Sequence, residues 1–500
     1  MASRLCVNLL ISFRFNLHRL QITTVVELST DLFQQYQWEW IPEHEIRFHP
    51  LSFADVGGRL FNWRGGLYRA IRSQQAPLIQ QLFQLGVVEK LIGEGLLADS
   101  TLTDYRIPGY ALVVCHRRIQ FPAYPDEWCP AMLKEAALTT IRIMMELAPY
   151  GLSLKDAHPW NLLYERGRPI WVDLNSLVPM ESVEWQAYEE YRRFCLNPLL
   201  LMAAGHERWA RLMMPEEEGV SDAMVHRLTC AELPWAALGI RLRKFVPRRL
   251  KSALRRMKAT LPTASANHSV AILKAEDGLR RHQKFLQSLH LEVEEIPIAR
   301  SMRNQTGAAS VASVSVAMRQ AVSRLISELR PLTLLNAGGS ALWLAEEARR
   351  QDAHVVSFSA DSAVVTQDYF DARMLCLPLL PLLMDFTKTT PARGLCDHWS
   401  VAASERFGCD MVVVTGGALN EMLTVRRMNF EQIAAGLSAF SRRWAVVELN
   451  EQQIRPSRQA SLEELIGALH LNFKTVHLPP TDGSAPPSQI LLCEKVNRND

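Results

Sequence analysis

From about Val311 onward, short apolar β runs alternate with helical stretches, and this alternation constrains the fold more than any other feature. Thr333-Leu334-Leu335 leads into Asn336-Ala337-Gly338-Gly339-Ser340 and then a helical stretch, Ala341 to Arg350. His354 to Phe358, Met411 to Val414 and Trp444 to Leu449 read as further strands, with helices at Met318 to Leu329 and Asn429 to Ser441. Strands alternating with helices build βαβ units with right-handed crossovers, hence a parallel-centred sheet. The last two β runs, Phe473 to Leu478 and Gln489 to Cys493, have only a Pro/Gly-rich turn between them. Without a crossover helix they must pair antiparallel. The expectation is an α/β, Rossmann-like unit over 311–500, with Thr333 to Leu335 and Met411 to Val414 in its interior and a terminal antiparallel hairpin at one edge.

A chain of 500 residues is too long for that unit alone, and at about 150 residues per domain it holds about three. With 48% apolar and 21% charged residues it is ordinary globular material, not disordered or fibrous. The net charge of +3 predicts no nucleic-acid partner. The nine cysteines are scattered and never form CxxC, which disfavours a disulfide framework or structural zinc and predicts a reducing, cytoplasmic setting. The apolar runs Cys6 to Phe13 and Leu375 to Met384 fall short of the roughly 20 residues of a membrane span. Arg4, Arg14 and Arg19 precede any acid, but no small-residue cleavage site follows, so the start reads as an ordinary soluble N-terminus.

Four segments are expected: a lead-in over 1–50, an α+β kinase-like domain over 51–230, a basic helical linker over 231–310 and the α/β unit over 311–500. In the second segment, alternating runs flank Arg64-Gly65-Gly66, a hairpin signal. A helix is expected from Ala76 to Glu94, a buried strand at Tyr110 to Cys115 and a long helix from Trp128 to Leu147. Asp156 is followed five residues later by Asn161, then by strand, turn and strand ending at Asp173. This is a catalytic-loop layout. The first Asp orients an attacking hydroxyl, while Asn161 and Asp173 would hold Mg²⁺ against the phosphates of Mg–ATP. Arg69 is the nearest cation to the expected third-strand lysine, with Glu89 or Glu94 as helix partners. In the linker, Arg241 to Lys258 carries nine basic residues and no acid; such a stretch can hold phosphate groups or an anionic membrane surface, and the simpler reading is a solvated helix face between domains.

The glycine turn of the last unit suits a nucleoside cofactor, because glycines let the backbone approach it and an acid after the second strand bonds the ribose. Gly338 and Gly339 supply the turn, Asp361 the ribose acid, and Asp385 a carboxylate at a third loop, where an adenine amine would be bonded. The usual acid before the glycines is expected where Leu335 stands.

Several strings then carry a resemblance. They are Gly65-Gly66-Leu67-Tyr68-Arg69, Gly95-Leu96-Leu97, Tyr124-Pro125-Asp126-Glu127-Trp128-Cys129, Leu152 to Ala157 and Gly167 to Asp173 in the first half. In the second half they are Leu377 to Asp385, Pro391-Ala392-Arg393-Gly394, Ser404-Glu405-Arg406 and Asp410. Over about residues 50–200 and 320–495 the chain resembles the NoeA-like nodulation proteins. The resemblance implies a kinase-like region fused to a class I methyltransferase that uses S-adenosylmethionine and has a role in host-specific nodulation. It departs from the family at Leu335, Ala337 and Ala341, and in the stretch Gly416 to Glu421. Asn420 or Glu421 would orient the methyl acceptor, a small-molecule or glycan signal. The alternatives are an adaptor or sensor with decayed sites, and a phosphotransferase acting through Asp156.

Overall fold

The computed structural model describes residues 38–49, 52, 55–229, 268–298, 314–397, 399–450, 462–478 and 488–496. Its N-terminal half holds a five-stranded antiparallel sheet of β1 (Arg47–Phe48), β2 (Gly58–Trp63), β3 (Gly66–Ile71), β4 (Ser100–Leu102) and β5 (Leu112–His116). Their order is β1-β2-β3-β5-β4. The β2–β3 turn is tight because Arg64 and Gly65 both take positive φ, 45° and 79°, as a two-residue hairpin demands. Between β3 and β4 lie α1 (Ala76–Gln84) and α2 (Val87–Gly93). The single helix expected there is broken by Gly86, whose φ of 69° ends one helix and starts the next. The segment read as a lead-in contributes β1, and Glu39–Trp40 pairs with Tyr105–Arg106.

Helix α3 (Pro130–Leu147) forms the centre of this half, with buried residues on most of its faces. The hairpin of β6 (Leu162–Glu165) and β7 (Arg168–Trp171) follows. Among the helices that come after it are the short α4 (Glu207–Met213) and the long α5 (His268–Glu295). The described part of the expected linker is therefore a docked helix. Leu286, Leu289 and Val293 of α5 are buried, and Lys134 on α3 donates to the carbonyls of Glu294 and Ile296 at 2.7 Å each. The basic stretch Arg241 to Lys258 lies outside the described residues.

The C-terminal half is the expected α/β unit. Its strands are β8 (Thr333–Asn336), β9 (His354–Ser359), β10 (Leu379–Leu383), β11 (Cys409–Val414), β12 (Ser441–Asn450), β13 (Phe473–Leu478) and β14 (Ser488–Lys495). They form one seven-stranded sheet in the order β10-β9-β8-β11-β12-β14-β13. Strands β8 to β12 pair in parallel. Strand β14 is antiparallel to both β12 and β13, which leaves β13 at the edge. The helices are α6 (Val316–Leu329), α7 (Leu342–Arg349), α8 (Ser362–Met374), α9 (Gly416–Thr424), α10 (Phe430–Phe440) and α11 (Leu462–Leu469). Central strands covered on both faces read as continuous apolar runs, and β8 and β11 are buried accordingly.

The apolar run before Asp385 is expected to bring that residue to a strand end, and it does: β10 closes at Leu383, although the run carries Pro378 and Pro381. Its place at the sheet edge removes the conflict: the open side needs no N–H there, and edge strands accept proline.

The halves share a continuous apolar core with polar pairs embedded in it. The Arg406 guanidinium forks onto Glu127, Nη1 to Oε2 at 2.9 Å and Nη2 to Oε1 at 2.5 Å. Both side chains are almost fully buried. The same guanidinium lies 3.8 Å from the Tyr124 ring centroid. Arg393 pairs with Asp126, and Arg373 with Glu135 at 3.2 Å. Two blocks of the family resemblance, Tyr124 to Cys129 and Pro391 to Arg406, thus meet at this interface.

Candidate functional site

A cavity of about 930 Å³ opens at the carboxyl ends of the parallel strands, among the loops after β8, β9, β10 and β11. The strand order reverses between β8 and β11, and open α/β sheets bind ligands at such a switch point. The Gly338 loop leaves β8 there. Asn336, fully buried at the strand end, donates from Nδ2 to the carbonyls of Gly338 and Gly339 at 2.8 and 3.2 Å. Gly339 has φ +74°, and a Cβ on Gly338 would meet the Ala418 Cβ at 2.9 Å, so the turn needs both glycines. Asp368 on α8 closes the loop from behind, accepting from Ser340 Oγ at 2.7 Å and from Ala341 N at 2.9 Å.

The structure brings Gly338, Gly339, Asp361, Asp385 and Glu421 to this cavity. Asp361 caps α8, with Oδ1 accepting from Ala363 N at 2.8 Å. Asp385 is held more firmly than expected. Its Oδ1 accepts from Thr387 N and Oγ1 at 2.9 and 2.7 Å, and its Oδ2 pairs with Arg426 Nη2 at 2.7 Å. Glu421 lies 3.5 Å from the same Nη2. Asn420 is not among the cavity residues, because consecutive helix positions point to different faces. Its Oδ1 is buried without a partner. Met384, Phe386 and Met422 supply apolar wall, and Arg319 and Trp343 stand on the α6–α7 side.

Sequence reasoning missed Asn336, Asp368 and Arg426. The glycine signature offers a cue for Asn336, which closes β8 one position beyond Leu335, where the acid is expected. Nothing near Asp368 or Arg426 marked them, since each acts on a residue distant in sequence.

The second cluster lies in the N-terminal half. Asn161 is tied to the hairpin, its carbonyl accepting from Val172 N at 2.9 Å. Asp156 and Asp173 are close enough to repel one another. Burial pushes the Asp173 carboxyl up, opposed by Arg69, with Asp55 and Asp156 adding to the rise. Burial also raises Asp156, opposed by Lys155. Arg69 does face this cluster, but its partners are not Glu89 or Glu94. Its Nη1 sits 2.5 Å from Asp55 Oδ2 and 3.3 Å from Asp173 Oδ1. Asn175 Nδ2 donates to the same Asp55 oxygen at 3.0 Å. Among the described residues no group of three or more His, Cys, Asp or Glu side chains is placed to hold a metal ion.

No family model matches the chain. It is 24% identical over 386 residues to nodulation protein NoeA of Rhizobium meliloti (strain 1021), covering 72% of this chain and 76% of that protein. The chain is thus similar to NoeA over about three quarters of both lengths. Among solved structures, the N-methyltransferase NodS from Bradyrhizobium japonicum WM9, in complex with S-adenosyl-L-homocysteine, is 12% identical. The match covers 36% of this chain and 86% of that one, with a TM-score of 0.28. The Burkholderia thailandensis 1,6-didemethyltoxoflavin-N1-methyltransferase is 15% identical over 47% of this chain and 93% of that one, with a TM-score of 0.27.

Proposed function

We propose that this protein is an S-adenosylmethionine-dependent methyltransferase acting in nodulation, with a small-molecule or glycan signal as methyl acceptor. The observation that carries the reading is the cavity at the switch point, with the Gly338–Gly339 turn on one side and Asp361 and Asp385 on the other. The residues fit the cofactor. The glycine backbone would lie along it, the free oxygen of Asp361 would face the ribose, and Met384 and Phe386 would flank the adenine. S-adenosylmethionine supplies an activated methyl group, so the chain need only orient the acceptor and exclude water. Glu421 and Arg426, among the polar groups lining the cavity, would orient it. The nodulation role rests on the similarity to NoeA. The seven described cysteines are unpaired, in keeping with a cytoplasmic setting, and no described helix is long and apolar enough to cross a membrane.

A second reading concerns the N-terminal half. The order β1-β2-β3-β5-β4, with helices between β3 and β4 and the Asp156–Asn161–Asp173 loop after α3, supports a kinase-like domain. Asp55 already neutralises Arg69 there, which favours a regulatory or adaptor role over phosphotransfer with Mg–ATP. Calorimetry on the full chain tests both. Binding of S-adenosylhomocysteine, with none of Mg–ATP, is the expected result. Binding of neither ligand would leave the adaptor reading and remove the methyltransferase.

A further inference from the structure

We propose that the N-terminal half shapes the cofactor cavity from behind, through Glu207 and Arg211 on α4. The inference rests on the donor-site reading of that cavity. Glu207 Oε2 accepts from Ser362 Oγ at 2.9 Å, at the first residue of α8. Ser362 itself lines the cavity beside Asp361. Arg211 Nη2 donates to the carbonyl of Leu383 at 2.9 Å, at the last residue of β10. Met384 and Asp385, the next two residues, line the cavity. The same guanidinium is anchored on its own half, Nε and Nη2 reaching the Asp126 carbonyl at 2.9 and 2.6 Å.

The geometry matters because β10 is an edge strand. A sheet edge presents carbonyls with no strand beside them. At Leu383 a charged donor from the other half takes that place, and charge-assisted bonds are the stronger kind. Two of the four loops around the cavity are therefore fastened to α4 in addition to the bond from Met384 N to the Ser359 carbonyl that ties them within the sheet. Neither α4 residue lines the cavity, so both are positioning residues. The fused arrangement follows: the second half by itself would leave the β9 and β10 loops without these fastenings.

The test uses the full chain, S-adenosylhomocysteine titrated by calorimetry, and amide hydrogen exchange. Arg211→Met should weaken binding about tenfold and speed exchange over Met384 to Thr387, with β8 and β11 unchanged. Glu207→Ala should act similarly at 361–363, and Glu207→Gln, which keeps an acceptor for Ser362, should restore wild-type behaviour. Wild-type affinity and exchange in Arg211→Met and Glu207→Ala would overturn the proposal. So would faster exchange spread evenly over the sheet, the mark of a merely structural contact. If the unaltered protein binds no S-adenosylhomocysteine, the donor-site reading fails separately. Exchange over Met384 to Thr387 then decides the positioning role: local acceleration in Arg211→Met supports it, and unchanged exchange overturns it.

Discussion

Asp385 carries two duties, and the structure separates them by atom. Oδ1 holds the Thr387 turn, while Oδ2 faces Arg426. Asp385→Ala removes both, and on the donor-site reading it should weaken S-adenosylhomocysteine binding by about ten- to a hundredfold, since a bond to a charged group contributes about 1.5–3 kcal/mol. Asp385→Asn keeps an acceptor for Thr387 and should do less harm. Equal affinity across all three proteins, with lower thermal stability in Asp385→Ala, would reduce Asp385 to a loop cap. His116 gives a prediction of another kind. It is buried beside Ser100, and burial, reinforced by Arg69, pushes its imidazole down to about 3. The unfolded chain binds a proton near pH 6.5 that the folded one refuses. Stability from this group is therefore complete above pH 6.5 and is lost as the pH falls towards 3. At pH 5 the loss is about 2 kcal/mol, at about 1.4 kcal/mol per unit. Urea unfolding at pH 7 and 5 should show His116→Gln losing less than the unaltered protein over that interval.

Among the elements, the turn after β8 is the most demanding. Gly339 has φ +74°, where an L side chain costs roughly 1–2 kcal/mol. Gly339→Ala should lower unfolding stability by about that much, and Gly339→Asn by less, because Asn tolerates the left-handed region. At Gly338 the obstacle is instead the Ala418 Cβ at the start of α9. Gly338→Ala should push the β8 and β11 loops apart and lower affinity for S-adenosylhomocysteine more than it lowers the melting temperature. The opposite ranking would mean that the turn serves packing alone. Elsewhere, element limits were legible wherever local chemistry sets them. Asn429 and Gln432 form a reciprocal cap where α10 was expected to begin. The hairpin turns at Arg64-Gly65 and Arg166-Gly167 both take positive φ.

For the whole molecule, the buried Arg406–Glu127 pair is the critical joint between the halves. Removing one member leaves the other charged and buried, at a cost of about 3–5 kcal/mol. Arg406→Met should therefore destabilise the full chain strongly. Adding Glu127→Gln should recover much of the loss, because the stranded charge is gone. A double-mutant cycle by chemical denaturation measures the coupling. Additive single effects would show that the two residues act separately. If the halves unfold in one transition in the unaltered protein and in two in Arg406→Met, this joint is what makes them cooperative.

The sequence by itself determined the α/β character of the second half, its interior strands, its terminal hairpin and the positions of Gly338, Asp361 and Asp385. Each follows from period, turn chemistry or capping, which act over a few residues. The tertiary structure decided the rest. Only the edge position of β10 allows Pro381 in a strand, and only the folding of β3 against the Asp55 segment gives Arg69 its partner. Likewise Arg426 reaches Asp385, and Arg211 reaches Leu383, across stretches that no local pattern links. Such contacts are chosen by how the elements pack and by which buried charges must then be neutralised, and those are properties of the assembled molecule.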